Sequence, residues 1–343
     1  MLFSIYSIVI VLSAFIFSVI GCFTVRYVLN VLEVMDHPNE RSNHELPVPR
    51  GGGIAVIFTL VSFLFIVGVP GTVLLGMIGL AIISFLDDRE GVDFRLRLIV
   101  QFLAVGILFV PGGVVPELLG GPVFQGILPL WLDSLFSIIM LVGFLNLFNF
   151  MDGIDGITAA QSIALGLGFV FISFFVTEIK IIGVEGLVIA ATMAAFLLLN
   201  WHPASLFLGD VGSIPLGYLL GFLLLGLAAN GYWGAALILP AYYLTDGGMT
   251  FVKRLLNKEK IWEAHSKHAY QQAVRKGKSH DEVVKEISIY NAGLIVLAGL
   301  SMPGYAPQAY FVVIGFGLSF LLCRKLTEAQ QTIITPEGNA LSA

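Results

Sequence analysis

Long apolar stretches, separated by short polar ones, run from one end of the chain to the other. They are continuous and lack the every-second-residue alternation of a membrane β-strand, so they predict helices. Many approach the roughly 18 to 20 residues needed to cross hydrocarbon. By apolar length there are about eleven candidate spans. They are Phe3 to Gly21, Ile54 to Val69, Thr72 to Leu86, Leu98 to Val110, Leu132 to Phe150 and Ile157 to Val176. The remainder are Ile181 to Leu199, Ile214 to Asn230, Tyr232 to Leu244, Ile287 to Leu300 and Ala309 to Cys323. Turn signals at Val69-Pro70-Gly71, Asn230-Gly231 and Pro303-Gly304 divide neighbours. The predicted fold is an all-α polytopic integral membrane protein, with one transmembrane domain over 1–326 and a polar, disordered tail over 327–343.

Composition strengthens this reading. The 343 residues are 57% hydrophobic and 12% charged, with a mean hydropathy of +0.91. A soluble domain carries about twice that charged share. The first stretch has no Lys or Arg before it and is long for a signal-peptide core, so it reads as a retained helix. Cys22 and Cys323 are too few for a metal motif. With the N-terminus outside, all 18 basic residues except Lys180 fall in cytosolic segments, as do all six histidines. The C-terminus then lies in the cytosol. No nucleic-acid partner is expected.

The same threading carries five aspartates to the cytosolic ends of spans: Asp87, Asp88, Asp152, Asp155 and Asp210. Carboxylates beside a bilayer are costly and mark function. Asp87 and Asp88 end a span, where the helix dipole disfavours negative charge. A metal ion or the neighbouring Arg89, Arg95 and Arg97 would compensate. The plain alternative is a solvated helix end. In Asn146-Leu-Phe-Asn149-Phe-Met-Asp152-Gly153-Ile-Asp155-Gly156, the spacing can put four polar groups on one helical face. Capping of the next helix by Asp155 is the alternative, and it would leave Asp152 and the asparagines unexplained. Asp210, in Phe207-Leu-Gly209-Asp210-Val-Gly212-Ser213, is either an N-cap or a ligand for a hard cation. Phe207 is either packing or a face for a nucleobase.

Three further segments can meet phosphate. Arg50-Gly51-Gly52-Gly53 offers unobstructed N–H groups at a helix start. His265-Ser-Lys267-His268-Ala-Tyr270-Gln271 lacks the ligand count of a zinc site and reads better as a phosphate contact. Phe251 to Trp262 mixes apolar and basic residues, as a segment along the membrane surface does. Asp246 reads as an isolated, structural acid.

Taken together, these motifs resemble the polyprenyl-phosphate N-acetylhexosamine-1-phosphate transferases, glycosyltransferase family 4. The resemblance runs from Asp36 to Gln271 and rests on the Asp-Asp pair, the Asn-x-x-Asn-x-x-Asp-Gly-x-Asp-Gly run and the Phe-x-Gly-Asp-x-Gly-Ser run. It implies transfer of a sugar 1-phosphate from a UDP-sugar to undecaprenyl phosphate in the bacterial inner membrane, giving undecaprenyl-pyrophosphoryl sugar and UMP. It implies catalytic roles for Asp87, Asp88 and Asp210, with Asp210 and Asp88 on Mg²⁺, for which Mn²⁺ can substitute. Asp87 would engage the lipid phosphate. Asn149, Asp152, Asp155, Asn200 and Phe207 would form the nucleotide and pyrophosphate pocket, with Arg50, His265 and His268 near the phosphates. The histidine box lacks the three consecutive histidines of the muramoyl-pentapeptide branch. It is closer to the O-antigen-initiating enzymes, in the branch using UDP-N-acetyl-fucosamine or UDP-N-acetyl-quinovosamine. A homodimer is in keeping with the family. The rival reading is a transporter or flippase, whose acids should lie at mid-membrane on broken helices. A non-catalytic scaffold would not need the intact acidic set.

Overall fold

The computed structural model describes residues 4–38, 46–110, 121–176, 180–260, 266–304 and 306–328. His265 and the end of the polar tail, 329–343, lie outside the described residues. The described chain is mostly helical. In order, the helices are α1 (Ile5–Val31), α2 (Gly53–Ile66), α3 (Gly71–Glu90), α4 (Phe94–Gly106) and α5 (Leu130–Phe150). Next are α6 (Ile157–Ser173), α7 (Lys180–Asn200), α8 (Asp210–Ala229) and α9 (Trp233–Ile238). The last are α10 (Ala241–Leu256), α11 (Ala269–Arg275), α12 (His280–Leu300) and α13 (Gln308–Glu328). Seven helices among the described residues are long and apolar enough to cross a membrane, and α2 and α6 are shorter apolar helices. The protein is a polytopic helical membrane protein.

The core is built around α8. Every residue from Val211 to Leu227 is buried, and α3, α5, α2 and α9 pack around it. By contrast, α1 exposes Ile5, Val9, Leu12, Ile16 and Ile20 along one side. Apolar surface on this scale belongs in lipid. Close helix approach depends on missing side chains, as expected where lipid gives no hydrophobic drive to helix association. A Cβ on Gly53 would collide with the Gly212 backbone, so α2 and α8 touch main chain to main chain.

The ninth predicted span is not one helix. It breaks at Leu239-Pro240 into α9 and α10, because a proline inside a helix removes a backbone donor and crowds the preceding turn. α10 then runs on to Leu256, carrying Asp246 and the 251–256 part of the apolar-basic segment; Trp262 at the end of that segment lies outside the described residues. Its Phe251, Val252, Leu255 and Leu256 are exposed, while Tyr242, Asp246, Thr250 and Arg254 are buried.

A small seam joins the two ends of the fold near the site. Strands β1 (Met35–Asp36) and β2 (Val48–Pro49) pair antiparallel. Phe207 N donates to Pro49 O at 2.9 Å, and Gly51 N and Gly52 N donate to Phe207 O at 3.1 and 2.8 Å. Gly53 N donates to Leu208 O at 2.8 Å. The three-glycine segment therefore does not present free N–H groups to an anion, contrary to the sequence expectation. Those donors tie the start of α2 to the loop before α8.

Candidate active site

Asp87 and Asp88 lie in the last turn of α3, and Asp210 is the first residue of α8. Packing of α3 on α8 brings them together. Arg50, delivered by the seam, bridges two of them: its Nη2 is 2.9 Å from Asp88 Oδ1 and 2.8 Å from Asp210 Oδ1. Its Nη1 is 3.7 Å from Asp36. Arg97 on α4 pairs with Asp87 and lies 4.0 Å from Asp210 Oδ2. Val92 N donates to Asp87 Oδ1 at 2.8 Å, and Val211 N to Asp88 Oδ2 at 3.2 Å. The helix ends explain this pattern. Asp210 sits at the favourable N-terminus of α8, whereas Asp87 and Asp88 sit against the dipole of α3 and need the cations. Of the three arginines expected to compensate, only Arg97 does; Arg89 and Arg95 lie over Phe85 and Phe94.

Asp210 is not the N-cap of α8. Gly209 holds that position at φ 74°, and its carbonyl accepts from Gly212 N and Ser213 N, both at 3.0 Å. The Asp210 side chain is thus left to Arg50 and to Asn149, whose Nδ2 donates to Oδ2 at 3.4 Å. Ser213 Oγ donates in turn to Asn149 Oδ1. A side chain at Gly209 would crowd Asp88 Oδ2 at 3.0 Å. Four carboxylates, Asp36, Asp87, Asp88 and Asp210, thus face two guanidinium groups. Asp88 and Asp210 present hard oxygens that converge on one positive charge, and this donor set suits Mg²⁺.

The expected single face of four polar groups does not form. α5 ends at Phe150, with Met151 as its C-cap, so Asp152 and Asp155 lie beyond the helix. Asn149 turns to Asp210, while Asn146 pairs with Gln101, its Nδ2 donating to Oε1 at 2.7 Å. Burial pushes the Asp152 carboxyl up to about 6, against the pull of Arg50, while Asp210 adds to the rise.

Asp155 and Asn200 form a separate knot. α6 is capped by Gly156 in the left-handed conformation (φ 79°), not by Asp155. Asp155 is buried, and its Oδ2 lies 2.6 Å from His202 Nδ1 and accepts from Ala204 N at 3.1 Å. His280 Nδ1, at the start of α12, is 3.3 Å from the same oxygen and 3.2 Å from Asp155 N. Burial alone would raise the Asp155 carboxyl; hydrogen bonds from His280 and His202 outweigh it and hold it below the usual range. These three groups are close enough to consider a metal. The 2.6 Å contact is a hydrogen-bond distance, however, so Asp155 and His202 already satisfy each other directly. Asn200 is a clasp between loops: Gly156 N donates to its Oδ1 and its Nδ2 donates to Leu206 O, each at 3.0 Å.

His268 stands on the other side, against α10. Asp246, far from isolated, faces its Nδ1 at 3.3 Å. His268 contributes to the wall of a groove of about 760 Å³ between α5, α8, α9 and α10. Its walls include Phe144, Leu147, Phe150, Leu224, Leu237 and Leu244; Arg254 and His268 give one end its polar character. The structure therefore gathers Arg50, Asp87, Asp88, Asn149 and Asp210, with Asp152 in electrostatic reach and Phe207 fastened beside Arg50 by its backbone. Ser213, His202 and His280 were given no role in the site expected from sequence, and Arg97 entered it only as one of three possible counter-charges. The signal that pointed to the arginine was its nearness to the Asp-Asp pair; the other three had none.

The fold and site thus define a polytopic membrane protein whose acid–arginine cluster gathers at helix ends, beside an apolar groove. The family profile described as glycosyl transferase family 4 matches residues 71–228, and over that segment the chain is similar to that family. It is 28% identical over 273 residues to a probable undecaprenyl-phosphate N-acetylglucosaminyl 1-phosphate transferase of Bacillus subtilis (strain 168), covering 76% of this chain and 75% of that one. It is 26% identical over 311 residues to the undecaprenyl-phosphate alpha-N-acetylglucosaminyl 1-phosphate transferase of Thermotoga maritima, covering 88% and 92%. A decaprenyl-phosphate N-acetylglucosaminephosphotransferase of Mycobacterium tuberculosis is 26% identical over 326 residues, covering 83% and 79%.

Proposed function

We propose that the protein transfers a sugar 1-phosphate, of an N-acetylated hexosamine or its deoxy derivative, from a UDP-sugar to undecaprenyl phosphate. The reaction would start O-antigen or a related surface polysaccharide on the cytosolic face of the bacterial inner membrane. The observation that carries the reading is the convergence of Asp88 and Asp210, from two helices, on one Arg50 nitrogen. The names of the relatives supply the substrate class. In this topology the N-terminus is outside, the C-terminus is cytosolic and about eleven segments cross or enter the bilayer.

The chemistry is a problem of charge. An oxygen of the lipid phosphate attacks the phosphorus that bears the sugar. The bond from that phosphorus to the bridging oxygen breaks, and UMP leaves with the oxygen. Asp88 and Asp210 are the residues that would hold Mg²⁺, which supplies charge neutralisation at the pyrophosphate. Arg50 and Arg97 add fixed positive charge where two anions meet. A phosphate with a second pKa of about 6 is largely ionised at neutral pH, so the attack needs no strong base. Asp87, tied to Arg97 and to Val92 N, is placed to orient that arginine toward the lipid phosphate. The apolar groove has the chemistry of a prenyl chain's seat.

The test is UMP release by the purified full chain with undecaprenyl phosphate, Mg²⁺ and a panel of UDP-sugars. Release with one donor, requiring both lipid and Mg²⁺, is expected. Folded protein that releases nothing with any donor, or releases UMP without lipid, would overturn the reading. A trapped phospho-sugar enzyme in the absence of lipid would replace direct attack by a covalent route.

A further inference from the structure

Asp246 is only 2% exposed, and every contact the structure gives its carboxylate is with a donor. Oδ1 accepts from Ala269 N at 2.9 Å and Thr250 Oγ1 at 3.5 Å, and faces His268 Nδ1 at 3.3 Å. Oδ2 accepts from Tyr242 Oη at 3.1 Å and Tyr270 N at 3.4 Å. An ionised carboxylate only accepts, so the imidazole proton belongs on Nδ1 and Nε2 is the basic nitrogen. The same carboxylate holds the first two N–H groups of α11, so the histidine segment is docked onto α10 as one unit.

The stripe continues at helical spacing. Tyr242, Asp246, Thr250 and Arg254 recur every fourth residue on the buried face of α10. Thr250, Arg254 and His268 then appear in the wall of the groove, whose lining is otherwise mostly apolar. An amphipath with an anionic head fits such a shape, with its chain along α5 and α8 and its head at the imidazole; Arg254 beside it is already paired with Glu259, Nε to Oε2 at 3.2 Å. Asn146 and Phe150 of α5 also line the groove, while Asn149 on the same turn meets Asp210. That turn connects the polar head of the groove to the acid cluster.

We propose that Asp246 is a positioning residue that fixes the His268 ring in one tautomer, with Nε2 presented to the phosphate of the prenyl acceptor at the groove head. The proposal rests on the transferase reading for the identity of the acceptor. It distinguishes Asp246 from a mere cap of α11, because a cap would act on stability alone.

The experiment compares wild type, Asp246→Asn, Asp246→Glu, His268→Gln and the Asp246→Asn/His268→Gln double variant as full-length protein in detergent. Transfer is read as KM and kcat for undecaprenyl phosphate and for the UDP-sugar separately. Asp246→Asn should lower kcat/KM for the lipid about 10- to 100-fold, the scale known for a metal-bound imidazole that loses its carboxylate partner. KM for the UDP-sugar should stay unchanged. Asp246→Glu should recover part of the loss, and the double variant should be no worse than His268→Gln. Tyr242→Phe, which removes another partner of Asp246, should leave the lipid KM unaltered. Additive losses in the double variant, or a change confined to the UDP-sugar KM, would overturn the proposal. An independent readout is the ¹⁵N spectrum of His268 titrated with undecaprenyl phosphate alone. In wild type Nε2 should shift on lipid addition and Nδ1 should carry the proton; both features should be lost in Asp246→Asn. If wild type transfers no sugar yet shows this lipid response, the reaction is misassigned and the positioning role stands. No lipid response in wild type sinks the positioning role.

Discussion

Two carboxylate sites among the described residues, one at Asp87, Asp88 and Asp210 and one at Asp155, differ in what surrounds the acids. At Asp87, Asp88 and Asp210 the acids outnumber their cations, the partners are guanidinium groups from Arg50, just after β2, and Arg97 of α4, and the helix dipole of α3 opposes the charge. At Asp155 a single acid meets two imidazoles and a backbone N–H. The first arrangement accumulates negative charge toward a shared point. The second satisfies it locally. Carboxylates concentrated in excess of their partners call for an external cation, whereas a satisfied one holds loops in place.

The comparison breaks if the two clusters respond alike to mutation. The largest effect is expected from Asp210→Asn, which should reduce turnover by at least about a thousandfold, the scale of losing a main electrostatic contact in a transition state. Its thermal unfolding should match wild type, since Asp210 serves the site and not the core. Near-normal UMP release at limiting Mg²⁺ would remove Asp210 from the role of ligand. Next is Gly53→Ala, which forces α2 away from Gly212 and so displaces the seam that delivers Arg50. A stability loss of about 1–3 kcal/mol is expected from overpacking, with a fall in activity larger than that loss of folded protein explains. Unchanged activity would show that Arg50 is not needed in place.

His280→Ala should act the other way round. Removing one partner of the buried Asp155 should cost about 1.5–3 kcal/mol of stability, measured by chemical unfolding in detergent, while turnover of the folded fraction falls less than about tenfold. Turnover loss comparable to Asp210→Asn would move the knot into the chemistry. The smallest effects concern pH. Asp152 has its carboxyl raised to about 6, so its contribution to stability is fully present below the ordinary carboxylate range and is lost as pH rises through about 6. Asp155 is held below that range, so its contribution is present above the range and is lost only on further acidification. Asp152→Asn should therefore flatten the stability profile near pH 6, and a profile unchanged by that substitution would contradict the assignment.

Much of the site was legible in sequence because the key acids stand at abrupt ends of apolar runs. Asp87, Asp88 and Asp210 are conspicuous there, and Arg50 stands beside its glycines. What lay hidden was pairing over distance. His202 and His280 meet Asp155 from 47 and 125 residues away, and Asp246 meets His268 from 22. No local pattern encodes such contacts. Helix burial was equally hidden. α1 and α8 are both continuous apolar helices, yet α8 is enclosed and α1 lines the outside. Lipid is as apolar as a protein core, so composition does not separate the two. The break before α10 did carry a signal, Pro240, overridden by the run of apolar residues around it.

The seam between Pro49–Gly53 and Phe207–Leu208 has a consequence for cutting and grafting the chain. The segment that matches the family profile begins at residue 71, after the arginine that bridges Asp88 and Asp210. A fragment trimmed to that segment would keep all five aspartates and lose the charge that holds two of them together. Transplanting the acidic motifs into another helical scaffold would fail for the same reason unless an equivalent of the Arg50 segment came with them.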